Sequence, residues 1–517
     1  MSKNKNRQLF LNMTASLLST AVSLGISFFI TPAIIDRLGA EAQGFVTMSV
    51  NFVNYAAIAA MALNSMAGRF ITVKIAQGDD EGANRYFNSV MYANLAIVAA
   101  LIIPSILIVV NLDRLVNISP YLTGDVKVLF ACMFANFGIT IVSTTFSTAT
   151  FAANRLDLQA MQTIVSQLIK AVVTWGLFSL LPVSVSFIGI ATILSNLYLF
   201  VTYIHYTKKL LPGIHISHRA FSMQTVLEIL SAGIWNTVMR TGQVLTNQLD
   251  TLITNLWIGK TESGYIGTST TIVTAVNTLY ETVSAVFTPQ LTISFAQNDK
   301  KELVSGLKSA MRLTGFFANI PLCYIYGYGM AFYALWLPSE REVTHIYYHL
   351  TILIMLGTLV GGAISPLFNV YTIVNKLKWN SIVTLVMGVM NAGIVFLLLQ
   401  FKDLSAYGIY FVAGISSVLG IIKNMTFTPM YAAHCLELPK RTFYPTIFRY
   451  ITVTAVMAAV FRVLGMILPA GSWLMIILSV FICGVLGMIM NFFLLFEGSE
   501  RSVLINAVRS AWRKFVK

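Results

Sequence analysis

Long apolar runs, each about 20 residues, recur along the chain and are separated by short segments carrying glycine, proline, asparagine and charge. Crossing a hydrocarbon core of about 30 Å takes roughly 20 apolar residues in a helix. The runs predict spans near 9–35, 42–66, 89–111, 126–150, 163–182, 186–206 and 229–258 in the first part of the chain. Further spans are predicted near 264–288, 309–331, 346–371, 381–400, 407–430, 446–468 and 473–496. A barrel would instead show short segments of alternating polarity. The expected fold is therefore an all-α polytopic membrane protein of about 14 transmembrane helices.

Composition agrees with that pattern and narrows it. Of 517 residues, 56% are apolar and 10% are charged, against roughly 25% charged in an ordinary soluble protein. So few charges exclude a soluble enzyme, a disordered chain and a nucleic-acid binder, despite a net charge of +14. The basic residues are sorted by side. With both termini in the cytoplasm, 23 of the 34 fall in inner segments, and six (Arg37, Arg114, Lys127, Lys260, Arg341 and Lys402) fall in outer loops. Such an excess on one side orients the spans. The first run is too long for a signal-peptide core and lacks an A-x-A cleavage pattern, so it is expected to be retained. Cys132, Cys323, Cys435 and Cys483 lie in or beside spans without metal-site spacing and are expected to be free thiols.

The turns between spans repeat. Leu38-Gly39-Ala40-Glu41-Ala42-Gln43-Gly44-Phe45 follows the first span, and Ile258-Gly259-Lys260-Thr261-Glu262-Ser263-Gly264-Tyr265 follows the seventh, at an offset of 220. At the same offset Ile75-Ala76-Gln77-Gly78-Asp79 matches Phe295-Ala296-Gln297-Asn298-Asp299, and at 221 Asn154-Arg155-Leu156 matches Asn375-Lys376-Leu377. Six spans separate the copies, an even number, so the halves run in the same direction through the membrane. This predicts two parallel six-helix repeats with two C-terminal helices added, an architecture common in transporters with a substrate site between the halves. The expected division is 1–206 as the first lobe, 207–228 as a cytoplasmic linker, 229–430 as the second lobe, 431–496 as helices 13 and 14, and 497–517 as a basic amphipathic tail.

Ionisable groups belong mainly to the second copy. On the seventh span Asn236, Arg240, Gln243, Asn247, Asp250 and Thr254 fall within an arc of about 80° at roughly 100° per residue. The eighth carries Thr270, Thr274, Asn277, Glu281 and Ser284. The corresponding positions of the first span, Ser16, Thr20, Ser23 and Ser27, are polar and uncharged, and Ile30 stands where Asp250 would be. A charged side chain at bilayer depth costs about 2.5–3.5 kcal/mol and normally faces a polar interior. Arg240 and Glu281 lie at similar depth and could pair across the hairpin, which would make them a structural lock rather than a site. Asp250 lies near mid-membrane with no cation beside it in sequence. Lys170 and Lys423 are further candidates or snorkelling side chains, and Arg449 and Arg462, near the ends of the thirteenth span, read as snorkelling.

Other signals are weaker. Glu342, His345 and His349 have helical spacing that can hold a metal, but interfacial polar residues are equally expected there, and no metal is assigned. His215 and His218 fare no better. The tail places Val503, Leu504, Val508, Trp512 and Phe515 among five basic residues, which suits a helix lying on an anionic inner leaflet. No G-x-x-x-x-G-K-S/T segment is present, so ATP hydrolysis by this chain is not expected. Neither a catalytic constellation nor a cofactor motif is found, and the reading is a carrier, not an enzyme.

With these features the chain resembles the polysaccharide-transport family of the multidrug/oligosaccharidyl-lipid/polysaccharide exporter (MOP) superfamily, which includes the O-antigen flippases. The resemblance covers nearly the whole length. It rests on Pro32-Ala33-Ile34-Ile35-x-x-Leu38-Gly39-x-x-x-x-Gly44, on Asp250 followed by Ile258-Gly259-x-x-x-x-Gly264-Tyr265, on Ala76-Gln77-Gly78-Asp79 and on the Asn154-Arg155 turn. It implies two lobes forming a V-shaped transporter in a bacterial inner membrane. The implied substrate is a polyprenyl-pyrophosphate-linked oligosaccharide, carried to the outer leaflet by alternating access without ATP. Arg240, Lys170 and Lys423 would then meet the pyrophosphate, and Asn236, Gln243, Asn247, Asn277 and Asn54 the sugar hydroxyls. Asp250 or Glu281 would carry a coupling H+ or Na+. The implied partners are membrane lipids and polysaccharide polymerase or assembly proteins. The rival within the superfamily is an ion-coupled multidrug or organic-cation antiporter. Such relatives often carry an essential acid within the first helix, where this chain has only Asp36 at its outer end.

Overall fold

A computed structural model describes residues 2–400, 407–498, 500–502 and 505. Lys402 and most of the 497–517 tail lie outside the described residues. No strand occurs among the described residues. The helices are α1 (Ser2–Ala76), α2 (Asp80–Val110), α3 (Leu112–Leu115), α4 (Thr123–Ala152), α5 (Leu156–Leu180), α6 (Ser186–Leu210), α7 (Met223–Asn247), α8 (Asp250–Trp257) and α9 (Lys260–Ala296). They continue as α10 (Lys300–Trp336), α11 (Thr344–Met355), α12 (Thr358–Ile373), α13 (Leu377–Leu399), α14 (Gly408–Met425), α15 (Phe427–Cys435), α16 (Tyr444–Ile467) and α17 (Trp473–Met490).

Among the described residues, ten helical segments are long and apolar enough to cross a membrane. Among them α1 supplies two expected spans. At about 1.5 Å per residue its 75 residues far exceed a bilayer, and the chain bends at Gly39, whose φ of 83° and ψ of 167° only glycine adopts readily. The polar stripes lie on α7 and α9, which with α10 supply the remaining expected spans by length. Three predicted spans are not continuous. The seventh breaks between α7 and α8, the tenth between α11 and α12, and the twelfth between α14 and α15. Irregular backbone at membrane depth survives only where protein groups take up the freed carbonyls. Ser417 donates to Ile354 O at 2.9 Å beside the tenth, and Tyr444 donates to Met425 O at 2.7 Å beside the twelfth.

The sequence repeat is also a backbone repeat. Asn154 and Asn375 both take left-handed conformations, with φ of 53° and 54°. Each is followed by a residue whose amide reaches back five positions, Arg155 to Thr150 O and Lys376 to Tyr371 O, both at 2.8 Å. Gly78 and Asn298 form the other left-handed pair, at 72° and 54°. The aspartate after each caps the next helix: Asp79 accepts from Gly82 N and Asp299 from Glu302 N, each at 2.8 Å. A bonded Lys74 ammonium and the Gly82 amide hold the Asp79 carboxyl below its ordinary range.

Packing divides the chain into two compact units. Met1–Thr268 and Leu377–Val412 form one, and Ser269–Lys376 with Ala413–Lys517 form the other. The division does not run along the repeat boundary, because α7 and α8 pack against α1 and α13 packs against α7. Glycine allows this close approach, as small residues do between membrane helices. A Cβ on Gly233 would stand 1.9 Å from Ala62 O, and one on Gly388 would stand 2.5 Å from Gly242 O.

In the second unit α16 and α17 are integral to the packing. Gly327 of α10 lies against the Phe461 backbone and Gly465 against that of Gly327. Asn319 and Asn491 exchange side-chain hydrogen bonds at 2.9 and 3.1 Å. Arg312 of α10 is buried and gives hydrogen bonds to Glu500 (2.8 Å at closest) and Glu497 (2.7 Å). Arg449 donates to Leu494 O at 2.6 Å, beside a π-helical turn at Asn491–Leu495.

Candidate functional site

In the first unit the second limb of α1 lies along α7 and α8, and the contacts between them are polar. Asn236 donates to Ser65 Oγ at 3.1 Å, and Arg240 Nη2 donates to Asn54 Oδ1 at 3.0 Å. Nearer Gly39, Tyr55 donates to the Gln248 carbonyl at 2.6 Å, and Asn51 donates to Thr251 Oγ1 at 2.9 Å. Gln243 is half-buried on the same helix and Asn247 is exposed. Arg240 and Glu281 fall in different compact units, and the partner that the structure gives Arg240 is the neutral amide of Asn54. Its charge is therefore held in place without being neutralised by that partner.

The break between α7 and α8 alters the predicted stripe. Residues 229–258 were expected as one helix. Instead Asn247 ends α7, Gln248 has φ −121° and ψ −7°, and Asp250 begins α8. Asp250 and Thr254 thus belong to a separate short helix and not to a continuous face with Asn236 and Arg240. The bend is held by groups far away in sequence. Asn391 of α13 donates to Leu245 O at 3.3 Å and Thr246 O at 3.2 Å, while Tyr55 takes the Gln248 carbonyl.

Around this bend several buried acceptors lack a hydrogen-bond donor: Gln248 Oε1, Asp250 Oδ1, Thr254 Oγ1 and Asn391 Oδ1. Asp250 is 7% exposed. A buried carboxylate is held better in the first turn of a helix, where the macrodipole favours negative charge. Oxygen acceptors without donors are the surroundings that a hard cation or a proton satisfies.

The remaining candidates are dispersed. Lys170 on α5 of the first unit is half-buried and makes no ion pair with a described residue. In the second unit Asn277 accepts from Thr358 Oγ1 at 3.3 Å, just past the break between α11 and α12. Glu281 is exposed on α9. Lys423 on α14 places its ammonium 5.6 Å from the centre of the Phe368 ring, a cation–π contact. His345 Nδ1 lies 3.2 Å from the Glu342 carbonyl, and among the described residues no three His, Cys, Asp or Glu side chains gather in a metal-binding group. The four cysteines are free thiols. Sequence reasoning missed Asn51, Tyr55, Ser65 and Asn391. The first three share the α1 limb with Asn54; Asn51 lies three residues before Asn54 and four before Tyr55, a spacing that was the available signal, while Ser65 lies ten residues further on.

Long apolar helices and a duplicated turn chemistry mark a multi-pass membrane protein, and its fold is that of solved transporters of the MOP superfamily. The lipid II flippase MurJ in an inward closed conformation superposes with a TM-score of 0.68 at 16% identity, over 93% of this chain and 98% of that one. An inward-facing multidrug resistance MATE transporter of the MOP superfamily gives 0.65 at 13% identity, over 83% and 99%. The uncharacterized membrane protein EpsK of Bacillus subtilis is 29% identical over 465 residues, 90% of each chain. No family model matches.

Proposed function

We propose that the chain is a flippase that moves polyprenyl-pyrophosphate-linked oligosaccharide from the inner to the outer leaflet, for O-antigen, capsule or exopolysaccharide biosynthesis. The observation that carries this reading is Arg240, a cation on a polar helix face whose partner is the neutral Asn54. A pyrophosphate is attracted to such a charge more strongly in a low-dielectric cavity than in water. Lys170 and Lys423 would supply further positive charge, and Asn236, Gln243, Asn247, Asn277 and Asn54 would bond the sugar hydroxyls. The solved likeness to a lipid II flippase supports a lipid-linked substrate.

Transport would proceed by alternating access between repeat-based lobes (1–206 and 229–430), driven by H+ or Na+ without ATP. Asp250 and the acceptors around the α7–α8 bend are the proposed coupling site, with Glu281 as a second acid. The charge bias supports a bacterial inner membrane with both termini in the cytoplasm. The basic tail would rest on anionic lipid, and a polysaccharide polymerase or assembly protein would receive the product.

The ion-coupled drug antiporter remains the second reading, favoured by the acids Asp250 and Glu281 and by the MATE likeness. Deleting the gene and following both surface polysaccharide and the lipid-linked intermediate tests the flippase. Loss of the first with accumulation of the second is expected. Normal surface polysaccharide together with raised retention of cationic dyes would favour the antiporter.

A further inference from the structure

The two corners of the repeat meet. Gly44 and Gly264 are equivalent positions, and a Cβ on Gly44 would lie 2.8 Å from Gly264 N. One on Gly267 would lie 2.8 Å from the hydroxyl of Thr47, its own equivalent in the first copy. Backbone therefore crosses backbone around a local pseudo-twofold axis, at what the charge bias makes the outer end.

Over this crossing the copies cease to be equivalent. Glu41 stands where the second copy has Thr261, and Lys260 stands where the first has Ala40. The first corner thus carries the acid Glu41, and the second carries Lys260 together with Glu262, where the first has Ala42. Ser119, from the loop before α4, joins Glu41 to Lys260. Its amide donates to Glu41 Oε1 at 2.8 Å and its hydroxyl to Glu41 Oε2 at 2.7 Å, and the same hydroxyl accepts from Lys260 Nζ at 2.5 Å. Glu41 and Ser119 are each 7% exposed. A hydroxyl that accepts from a cation and donates to an anion strengthens both bonds. Two residues away the same loop is fastened again. Asn117 N donates to Asn255 Oδ1 and Asn117 Nδ2 to Asn255 O, both at 2.8 Å, and Asn255 Nδ2 returns a bond to Asn117 O at 3.0 Å.

We infer that Glu41, Ser119 and Lys260 form a charge-relayed latch, seconded by Asn117 and Asn255, that holds the outer end of the carrier shut. The inference rests on reading the chain as an alternating-access carrier. Smooth glycine corners let the two copies slide or part at little steric cost, so the polar groups must supply the directional hold. Because the two charges that Ser119 joins, Glu41 and Lys260, sit on different copies, this bridge spans the crossing. Opening the outer end breaks it and exposes Glu41 and Lys260 to water, which repays part of the lost attraction and keeps the step reversible.

The test uses the full-length protein in cells, with the four native cysteines replaced and Asn51→Cys as reporter on α1 beneath the latch. A membrane-impermeant maleimide applied from outside reads how often the outer end opens. Glu41→Gln, Lys260→Met and Ser119→Ala should each raise the labelling rate about tenfold, the population shift of one broken closing contact. The exchange E41K/K260E should return it towards the parent rate, which misfolded protein would not do. Parent-like labelling in all three single variants at normal protein levels overturns the latch. Labelling needs no substrate, so the outcome stands apart from whether the cargo is a lipid-linked glycan.

Discussion

Gly264 lies so close to Ala40 that a Cβ on it would stand 2.0 Å from the Ala40 carbonyl oxygen. Both residues belong to the corners where the two sequence copies cross. Since the obstacle is backbone, no rotamer change relieves it. Gly264→Ala is expected to lower stability by about 1–3 kcal/mol, the usual penalty of overpacking, and to lower the melting temperature in detergent. Gly124→Ala is the control, because no atom lies within 4 Å of its added carbon. Equal melting of the two variants would show that the corners separate freely.

Asn391 supports the bend between α7 and α8 through two carbonyls. Asn391→Ala leaves Leu245 O and Thr246 O without that donor in a buried setting, where an unmet polar group costs about 1–3 kcal/mol. A clear loss of thermal stability is expected. Hydrogen exchange should quicken across residues 245–250, with little change in α5 of the same unit.

The bend also shows where the sequence stops being legible. The repeat could be read because each copy must turn the same corner. Asn154 and Asn375, or Gly78 and Asn298, occupy left-handed backbone that few residues tolerate, so chemistry at those points is nearly forced. Most of the spans followed from apolar length, while α7, α9 and α10 count by helix length. The breaks did not follow from it, because Gln248 and Leu249 are not strong helix breakers. Their break depends on Tyr55, 193 residues away, and on Asn391, about 145 away from the carbonyls it bonds. Likewise Arg240 was visible as a cation at depth, while its partner Asn54, 186 residues distant, was a matter of packing.

Arg240 gives the most direct test of the proposed substrate. A hydrogen bond to a charged group contributes about 1.5–3 kcal/mol, so Arg240→Ala should slow glycan export by about ten- to a hundred-fold if the group acts in the transport step. Arg240→Lys should recover part of this, since it keeps the charge but loses the planar fork. Asn54→Ala frees the guanidinium without removing it and should cost less than Arg240→Ala. Pulse-labelled lipid-linked intermediate in membrane fractions measures the rate, and export at the parent rate in Arg240→Ala would remove this residue from the site.

Asp250 separates coupling from architecture. Asp250→Asn keeps the shape of the side chain and supplies an amide in place of the charge. Its melting temperature should stay close to that of the parent, because the bend is held by Tyr55 and Asn391. Transport in vesicles should lose its dependence on an imposed proton or sodium gradient. Persistence of that dependence in Asp250→Asn, with its loss in Glu281→Gln, would transfer the coupling role to the second unit.

Arg312 ties the chain after α17 to α10. Its side chain is 5% exposed, and its two acids differ: Glu500 is 15% exposed and Glu497 53%. The Glu500 contact is the buried one, and breaking a buried pair from one side costs about 3–5 kcal/mol because the other charge is stranded. Partial exposure and a neighbouring Ser309 hydroxyl temper that cost here. Arg312→Ala should therefore lower the melting temperature markedly and speed proteolysis near residues 497–502. Glu497→Gln should have a small effect, because its more exposed contact is screened by solvent. The double variant Arg312→Met with Glu500→Gln should lie above Arg312→Ala in stability, since it removes both charges together. If Arg312→Ala leaves both melting and cleavage unchanged, the contact does not hold the segment in place.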